Sequence, residues 1–165
     1  MEPKPPRLRV FAGPNGSGKS TLLHKLEGKF NPGFYVNADD IAEILKQRKF
    51  IDLNAFGINA KQEALENFSR EQSLFIARFD APAELGQLKI SRNILVFGSD
   101  NPDAYIAAFV AAFIRQQLLV AKHSFSFETV MSHPGKIQFL QTATTIGYKI
   151  YLYYVATESA ELNLM

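Results

Sequence analysis

The sequence has no cysteine, little net charge and no apolar run long enough to span a membrane. The lack of cysteine excludes disulfides and thiolate metal sites. A net charge of +2, with no cluster of Lys or Arg, argues against nucleic acid as a partner. The longest apolar run, 104–114, is shorter than a transmembrane helix, and Arg115 follows it directly. Because no apolar signal segment follows the polar residues 1–7, we expect a cytoplasmic protein that binds neither nucleic acid nor a membrane.

Strands alternate with helices along much of the chain, whose apolar content of 47% is that of an ordinary globular domain. Short apolar runs predict strands at 8–12, 34–37, 124–127 and 149–155. Helical spacing predicts helices from 19 to a stop at Gly28, at 40–49 and at 134–146. This alternation predicts an α/β fold with a parallel sheet covered by helices on both faces.

The segment 50–101 has a less regular pattern. Within it we predict helices at 59–69 and 71–79 and a strand at 93–97. A long apolar helix follows to about residue 122, with Pro102 as its first helical residue, and another helix begins at 157. The expected organisation is a flexible lead-in at 1–7 and one domain at 8–165.

A glycine-rich loop follows the first predicted strand and precedes the first predicted helix. It matches the phosphate-binding pattern Gly-x-x-x-x-Gly-Lys-Ser, which is specific when a strand precedes it and a helix follows it. The predicted nucleotide-binding residues are Gly13, Asn15, Gly16, Ser17, Gly18, Lys19, Ser20 and Thr21. The glycines let backbone N–H groups point inward around an anion, and the helix N-terminus adds its positive end. The alternative is a glycine-rich turn that binds nothing.

The loop predicts a site for a purine nucleoside triphosphate, ATP or GTP, with Mg²⁺. Lys19 is expected to reach the β- and γ-phosphates, where it also supports catalysis, and the Ser20 hydroxyl is expected to ligate the metal. Thr21 is expected to support the start of the helix. The fold is therefore expected to be P-loop NTPase-like.

Asp39 follows the second predicted strand, at the edge where ligands bind in open α/β sheets. One interpretation makes it the general base that takes a proton from a substrate hydroxyl. The other makes Asp39 or Asp40 a cap of the following helix. Asp40 and Glu43 have the spacing of a capping box, which favours Asp40 for the capping role.

Glu128 and Thr129 follow the strand predicted at 124–127. Glu128 is expected either to bind substrate hydroxyls or to hold a magnesium-bound water, and the alternative is a solvated loop carboxylate. Phe125 and Phe127 are expected to lie in the core on one face of that strand. The three histidines have no spacing typical of a metal site.

Three blocks of the sequence resemble the zeta-toxin family of P-loop kinases. They are the loop with Thr21, the segment Val36-Asn37-Ala38-Asp39-Asp40-Ile41-Ala42, and the segment Ser126-Phe127-Glu128-Thr129-Val130-Met131-Ser132. Gly147-Tyr148 and the strand after them also match, and the blocks stand in the order of the family. The segment 50–123 lies unmatched between them.

The resemblance implies a kinase that uses ATP or GTP with Mg²⁺ and phosphorylates a small-molecule hydroxyl, such as that of a UDP-N-acetylsugar. It implies that Lys19 contacts the phosphates, that Asp39 is the base, and that Glu128 and Thr129 line the substrate pocket. It also implies an antitoxin protein as a partner.

The sequence departs from the family in two places. The segment 50–101 is longer than its counterpart in compact members, which predicts an insertion. The family continues after the segment matching Glu161-Leu162-Asn163 with an arginine-bearing helix and a last strand, so the resemblance implies a C-terminally shortened chain. Two alternatives to the kinase therefore stay open, a nucleotide-binding remnant without phosphotransfer and an ATPase-like regulatory module.

Overall fold

The computed structural model describes residues 4–72, 85–99, 102–131 and 134–156. Its strands are β1 Arg7–Ala12, β2 Phe34–Val36, β3 Phe50–Asp52, β4 Leu88–Ser91, β5 Ile94–Phe97, β6 Phe125–Thr129 and β7 Lys149–Tyr154. Its α-helices are α1 Lys19–Leu26, α2 Ala38–Arg48, α3 Gln62–Glu71, α4 Ala104–Val120 and α5 Pro134–Thr145. A 3-10 helix spans Leu53–Phe56. The chain divides into two compact units, Met1–Val36 with Lys122–Met165 as the first unit and Asn37–Ala121 as the second unit.

The first unit contains a parallel sheet in the order β2-β6-β1-β7. Leu8, Val10 and Phe11 of the inner strand β1 are fully buried, and Arg9 of the same strand is also buried, so both faces of β1 are covered as expected for a strand inside a parallel sheet. Phe125 and Phe127 of β6 are buried in the core, which confirms the prediction for these two residues. The predicted α/β class with a parallel sheet is confirmed for this unit.

Parallel pairing brings the carboxyl ends of β1 and β6 to the same edge of the sheet. Phe11 lies opposite Glu128, and Ala12 lies opposite Thr129. Glu128 and Thr129 are therefore the last two residues of β6, whereas the sequence predicted that the strand ends before them. The strand continues because the Gly13 N–H donates to the Thr129 carbonyl, a hydrogen bond of 3.1 Å.

The second unit contains an antiparallel sheet in the order β3-β5-β4. Arg92 and Asn93 form the two-residue loop between β4 and β5, and both have positive φ, 48° and 63°, as the tight hairpin turns require. The strand predicted at 93–97 is confirmed as β5. The sequence did not predict β3, β4 or an antiparallel sheet in 50–101.

Helix α4 forms much of the core of the second unit. Ile106, Val110 and Ile114 are fully buried, and the ring of Phe68 in α3 packs 5.2 Å from the ring of Phe109. No helix in the described ranges combines the length and the apolar character needed to cross a bilayer.

Two predicted helix starts are wrong. The Asp103 side chain caps α4 by accepting from the Ile106 N–H at 2.8 Å, so Pro102 precedes the helix and is not its first residue. The capping box of Asp40 and Glu43 is not formed at the start of α2, because the Asn37 side chain is the cap.

Several other boundaries were nearly as predicted. Strand β1 begins at Arg7, whose N–H donates to Ser124 Oγ at 2.9 Å, so the expected lead-in is shorter by this residue. The helix predicted at 59–69 is α3, which begins three residues later. The helix predicted at 71–79 falls mostly outside the described residues, and the one predicted from 157 falls wholly outside them.

Candidate functional site

The glycine-rich loop joins β1 to α1 at the carboxyl edge of the parallel sheet. Gly16 and Gly18 have positive φ, 74° and 88°, and Gly18 occupies the position directly before the helix. Other residues rarely adopt this backbone conformation, so the glycines allow the tight turn into α1. Asn15 and Gly16 lie exposed at the tip of the loop.

Gly13 is enclosed by backbone on both sides. Its N–H donates to the Thr129 carbonyl at 3.1 Å, and the Val155 N–H donates to the neighbouring Ala12 carbonyl at 2.8 Å. A Cβ added at Gly13 would lie 2.2 Å from the Val155 carbonyl oxygen, far inside van der Waals contact. The start of the loop is therefore fixed between the ends of β6 and β7, where only glycine fits.

Lys19 is the first residue of α1, and its side chain is buried although it carries a charge. Its ammonium donates to the Gly13 carbonyl at 3.0 Å and to the Pro14 carbonyl at 2.7 Å. An ammonium has three donors, so one remains for an anion after these two contacts within the described ranges. The lysine is thereby tied to the first two residues of the loop, and its contact with phosphates stays a prediction.

Ser17 supplies a second indication that the loop is built for a ligand. Its Oγ is buried and has no hydrogen-bond partner among the described residues. A buried hydroxyl without a partner costs about 1–3 kcal/mol. A phosphate oxygen within the loop would accept from this hydroxyl, so the residues present fit the nucleotide that the motif predicts.

Ser20 and Glu128 meet at the start of α1. The Ser20 hydroxyl donates to Glu128 Oε2 at 3.0 Å, and the Tyr35 hydroxyl donates to Glu128 Oε1 at 2.6 Å. Both carboxylate oxygens are therefore engaged, and the Glu128 side chain is not a free loop carboxylate. Because the Ser20 hydrogen points to Glu128, the lone pairs of Ser20 Oγ remain available to a cation.

A magnesium ion would fit this donor set. Hydroxyl and carboxylate oxygens are the ligands that Mg²⁺ prefers, and it usually takes one or two carboxylates together with phosphates and water. No group of three or more His, Cys, Asp or Glu side chains suited to a metal occurs in the described ranges. A cation here would therefore be held by Ser20, with Glu128 beside it, and by the phosphates of the nucleotide.

Thr129 has a local structural contact that the sequence did not predict. Its side chain is buried, and its Oγ1 accepts from the Met131 N–H at 3.1 Å, while its carbonyl accepts from Gly13. Thr21 lies exposed in the first turn of α1. The substrate-binding role of Thr129 stays a prediction.

Asp39 lies in the second unit, in the first turn of α2. Its N–H donates to Asn37 Oδ1 at 2.8 Å, and its own side chain is exposed. Asn37 supplies the cap that the sequence assigned to Asp39 or Asp40, so the capping role does not account for the Asp39 carboxylate. Its role as general base stays a prediction.

Comparison with known proteins adds little to this picture. No family model matches the chain, and no solved structure matches it significantly. Pleiotropic drug resistance protein 1 of Nicotiana tabacum is similar to it, with 31% identity over 119 residues. The match covers 66% of this chain and 8% of that protein, so the chain spans a small fraction of this relative.

The structure thus joins Ser20 to Glu128, and Gly13 to Thr129, across the two strand ends where the sequence predicted a site. It adds one residue that the sequence did not predict, Tyr35, and it shows that the predicted residue Ser17 has a hydroxyl without a partner among the described residues. Tyr35 stands in an apolar run that predicts a strand and nothing else. Only the register of β2 against β6 reveals its contact.

Proposed function

We propose that the first unit binds a purine nucleoside triphosphate with Mg²⁺, and that the protein transfers the γ-phosphate to a hydroxyl of a small molecule. The observation that carries this proposal is the hydrogen bond between Ser20 and Glu128 beside a glycine loop that holds a buried lysine. A glycine turn alone needs neither the buried ammonium nor the carboxylate. Together they supply a cation for phosphate and oxygen ligands for a metal.

Phosphate binding rests on three groups of the loop. The backbone around Gly16 and Gly18 forms a concave turn at the positive end of α1. The Lys19 ammonium and the Ser17 hydroxyl, which has no partner among the described residues, are donors that suit phosphate oxygens. Mg²⁺, when bound, would neutralise charge on the β- and γ-phosphates.

Transfer requires a general base for the substrate hydroxyl. We assign this role to Asp39, whose carboxylate would take the proton of the substrate hydroxyl. The hydroxyl oxygen forms a bond to the γ-phosphorus, the bond from that phosphorus to the β–γ bridging oxygen breaks, and a nucleoside diphosphate leaves. The resemblance to zeta toxins makes a UDP-N-acetylsugar the first acceptor to test and an antitoxin protein a partner to seek.

Calorimetry with ATP or GTP and Mg²⁺ tests the binding claim. We expect Lys19→Ala to weaken binding about 10- to 100-fold, the scale of a lost hydrogen bond to a charged group. Lys25→Ala is the matched control, because Lys25 is exposed on the same helix, and we expect its affinity to stay within about twofold of wild type. Equal binding heats for Lys19→Ala and wild type would refute the proposed site.

Incubation with ATP labelled in the γ-phosphate and UDP-N-acetylglucosamine tests the transfer claim. We expect the labelled phosphate to appear in the sugar nucleotide. A control reaction without the protein is expected to give no labelled sugar nucleotide. Nucleotide binding without any labelled acceptor would contradict this substrate. Slow release of labelled phosphate alone would favour the ATPase-like alternative, and binding with neither product would favour the nucleotide-binding remnant.

A further inference from the structure

Tyr35 is the one aromatic side chain of β2 whose polar group reaches the carboxyl edge of the sheet in a described hydrogen bond. Its phenol oxygen lies 2.6 Å from Glu128 Oε1 and donates to it. The ring is half-buried. The second oxygen of the same carboxylate accepts from Ser20 at 3.0 Å. One carboxylate therefore links a tyrosine of β2 to the hydroxyl at the start of α1.

The register of the sheet explains this contact. Tyr35 lies opposite Ser126 of β6, and Glu128 stands two residues further along the same strand. Because side chains two residues apart lie on the same face of a strand, Tyr35 and Glu128 share one face. The long phenol reaches forward along that face to the carboxylate.

The hydrogen bond from Tyr35 restricts the rotamers of the Glu128 side chain, which lies beside the proposed cation site. A glutamate side chain has several rotamers and loses considerable freedom when it is fixed. A tyrosine has only two side-chain torsions, so its hydroxyl is a more rigid partner. With Oε1 held by Tyr35, Oε2 is directed at Ser20 and accepts the hydrogen bond of its hydroxyl. The oxygen lone pairs of Ser20 are thereby left for the metal.

We propose that Tyr35 is a positioning residue of the magnesium site, acting through Glu128 to orient the Ser20 hydroxyl. This inference rests on the proposed binding of a nucleotide with Mg²⁺. It assigns to Tyr35 a role in metal affinity and none in direct contact with the nucleotide. Loss of the Tyr35 hydroxyl is therefore expected to weaken the metal-dependent part of binding selectively.

The test is the affinity for ATP, measured by calorimetry without metal and over a series of Mg²⁺ concentrations. For Tyr35→Phe we expect the apparent affinity for Mg²⁺ in the presence of ATP to fall about tenfold, the scale of one hydrogen bond to a charged group. Metal-free ATP binding is expected to stay within about twofold of wild type, because the glycine loop and Lys19 are unchanged.

Tyr153→Phe is the matched control. Tyr153 lies on β7, its ring stacks on Phe11 with centroids 4.9 Å apart, and its hydroxyl has no hydrogen-bond partner among the described residues. Removing this hydroxyl is expected to change neither binding measurement. Thermal unfolding of both variants checks that the sheet is intact.

A double-mutant cycle with Glu128→Gln separates positioning from a general effect on the sheet. If Tyr35 acts through Glu128, the double variant is expected to bind Mg²⁺ no more weakly than Glu128→Gln alone. Additive losses would overturn the proposed route. An unchanged magnesium affinity in Tyr35→Phe, or an equal loss with and without metal, would overturn the positioning role while leaving nucleotide binding in place. No magnesium-dependent binding by the wild-type protein would overturn both proposals.

Discussion

The Ser20 hydroxyl donates to Glu128 Oε2 at 3.0 Å, although 108 positions separate the two residues. The contact exists because β1 and β6 are parallel neighbours, with Ala12 opposite Thr129. The sequence predicted a site role for each residue separately, but it did not predict that their side chains form a hydrogen bond. Their hydrogen bond places a hydroxyl and a carboxylate, both possible metal ligands, at the end of the sheet beside the loop that holds the Lys19 ammonium.

Gly13 provides a direct test of the loop geometry. A Cβ at this position would lie 2.2 Å from the Val155 carbonyl oxygen, so Gly13→Ala must displace backbone. We expect it to lower the free energy of unfolding by roughly 3 kcal/mol, within the range of the larger single-residue effects, and to abolish measurable ATP binding. Urea unfolding and calorimetry measure the two effects.

Gly28→Ala is the control for that substitution. Gly28 also has positive φ, 86°, but a Cβ there would have no atom within 4 Å. It is therefore expected to cost only the backbone strain of about 1–2 kcal/mol and to leave ATP affinity unchanged. If Gly13→Ala were no more destabilising than Gly28→Ala, the result would contradict the close approach of Gly13 to the Val155 carbonyl oxygen.

Substitutions of Asn37 and Asp39 are expected to have different effects, the first on stability and the second on phosphotransfer. Asn37 accepts from the Asp39 N–H at 2.8 Å, so Asn37→Ala removes the cap of α2 and is expected to cost about 1 kcal/mol of unfolding free energy. Asp39→Asn keeps this N–H and is expected to cost no more than about 0.5 kcal/mol. Its phosphotransfer rate is nevertheless expected to fall at least about 100-fold, the smaller effect typical of losing a general base.

Asp40→Asn controls for the lost charge, because Asp40 lies in the same first turn of α2. We expect its transfer rate to stay near that of wild type. Equal rates for Asp39→Asn and wild type would exclude Asp39 as the base, and a large stability loss in Asp39→Asn would indicate a structural role.

Tyr148 is expected to make the stability of the first unit depend on pH in the alkaline range. Its side chain is buried beside Phe125, its hydroxyl donates to the His123 carbonyl at 2.8 Å, and burial raises the pKa of Tyr148 to about 12. Because the pKa is higher in the folded state than in the unfolded chain, the neutral phenol stabilises the fold. That contribution is complete below pH 10 and is lost as the pH rises through about 12.

Tyr148→Phe isolates this contribution, since the other titrating groups are common to both proteins. We expect wild type to be more stable by about 1 kcal/mol at neutral pH, the net value of one hydrogen bond. The difference between the two urea midpoints is expected to shrink between pH 10 and about 12. A difference that stays constant over this range would contradict the raised pKa.

The glycine loop and the strands around it were predictable because their signals are local. The fixed positions of the loop stand within eight residues, and the apolar run of β1 directly precedes them. Asn37 was overlooked as a cap because Asp39 and Asp40, two and three residues later, are equally suitable residue types. Side-chain capping depends on where the helix begins, and the sequence defines that point only to within a few residues.

The contact between Tyr35 and Glu128 could not be predicted from local pattern, because it depends on the register of two strands far apart in sequence. The antiparallel sheet was missed for a related reason. Strand β3 has only three residues, Phe50–Asp52, and β4 alternates between buried and exposed positions over four. Such short runs give little periodicity, and they become strands through pairing with β5.

The order of segments along the chain has a consequence for synthesis on the ribosome. The second unit is one uninterrupted stretch, Asn37–Ala121, whereas β1 finds its neighbours only in β6 and β7, with Leu8 opposite Phe125 and Ile150. Non-local strand pairing must wait until the later partner exists. We therefore expect the second unit to mature first on the nascent chain, and the ability to hold a nucleotide to be acquired last.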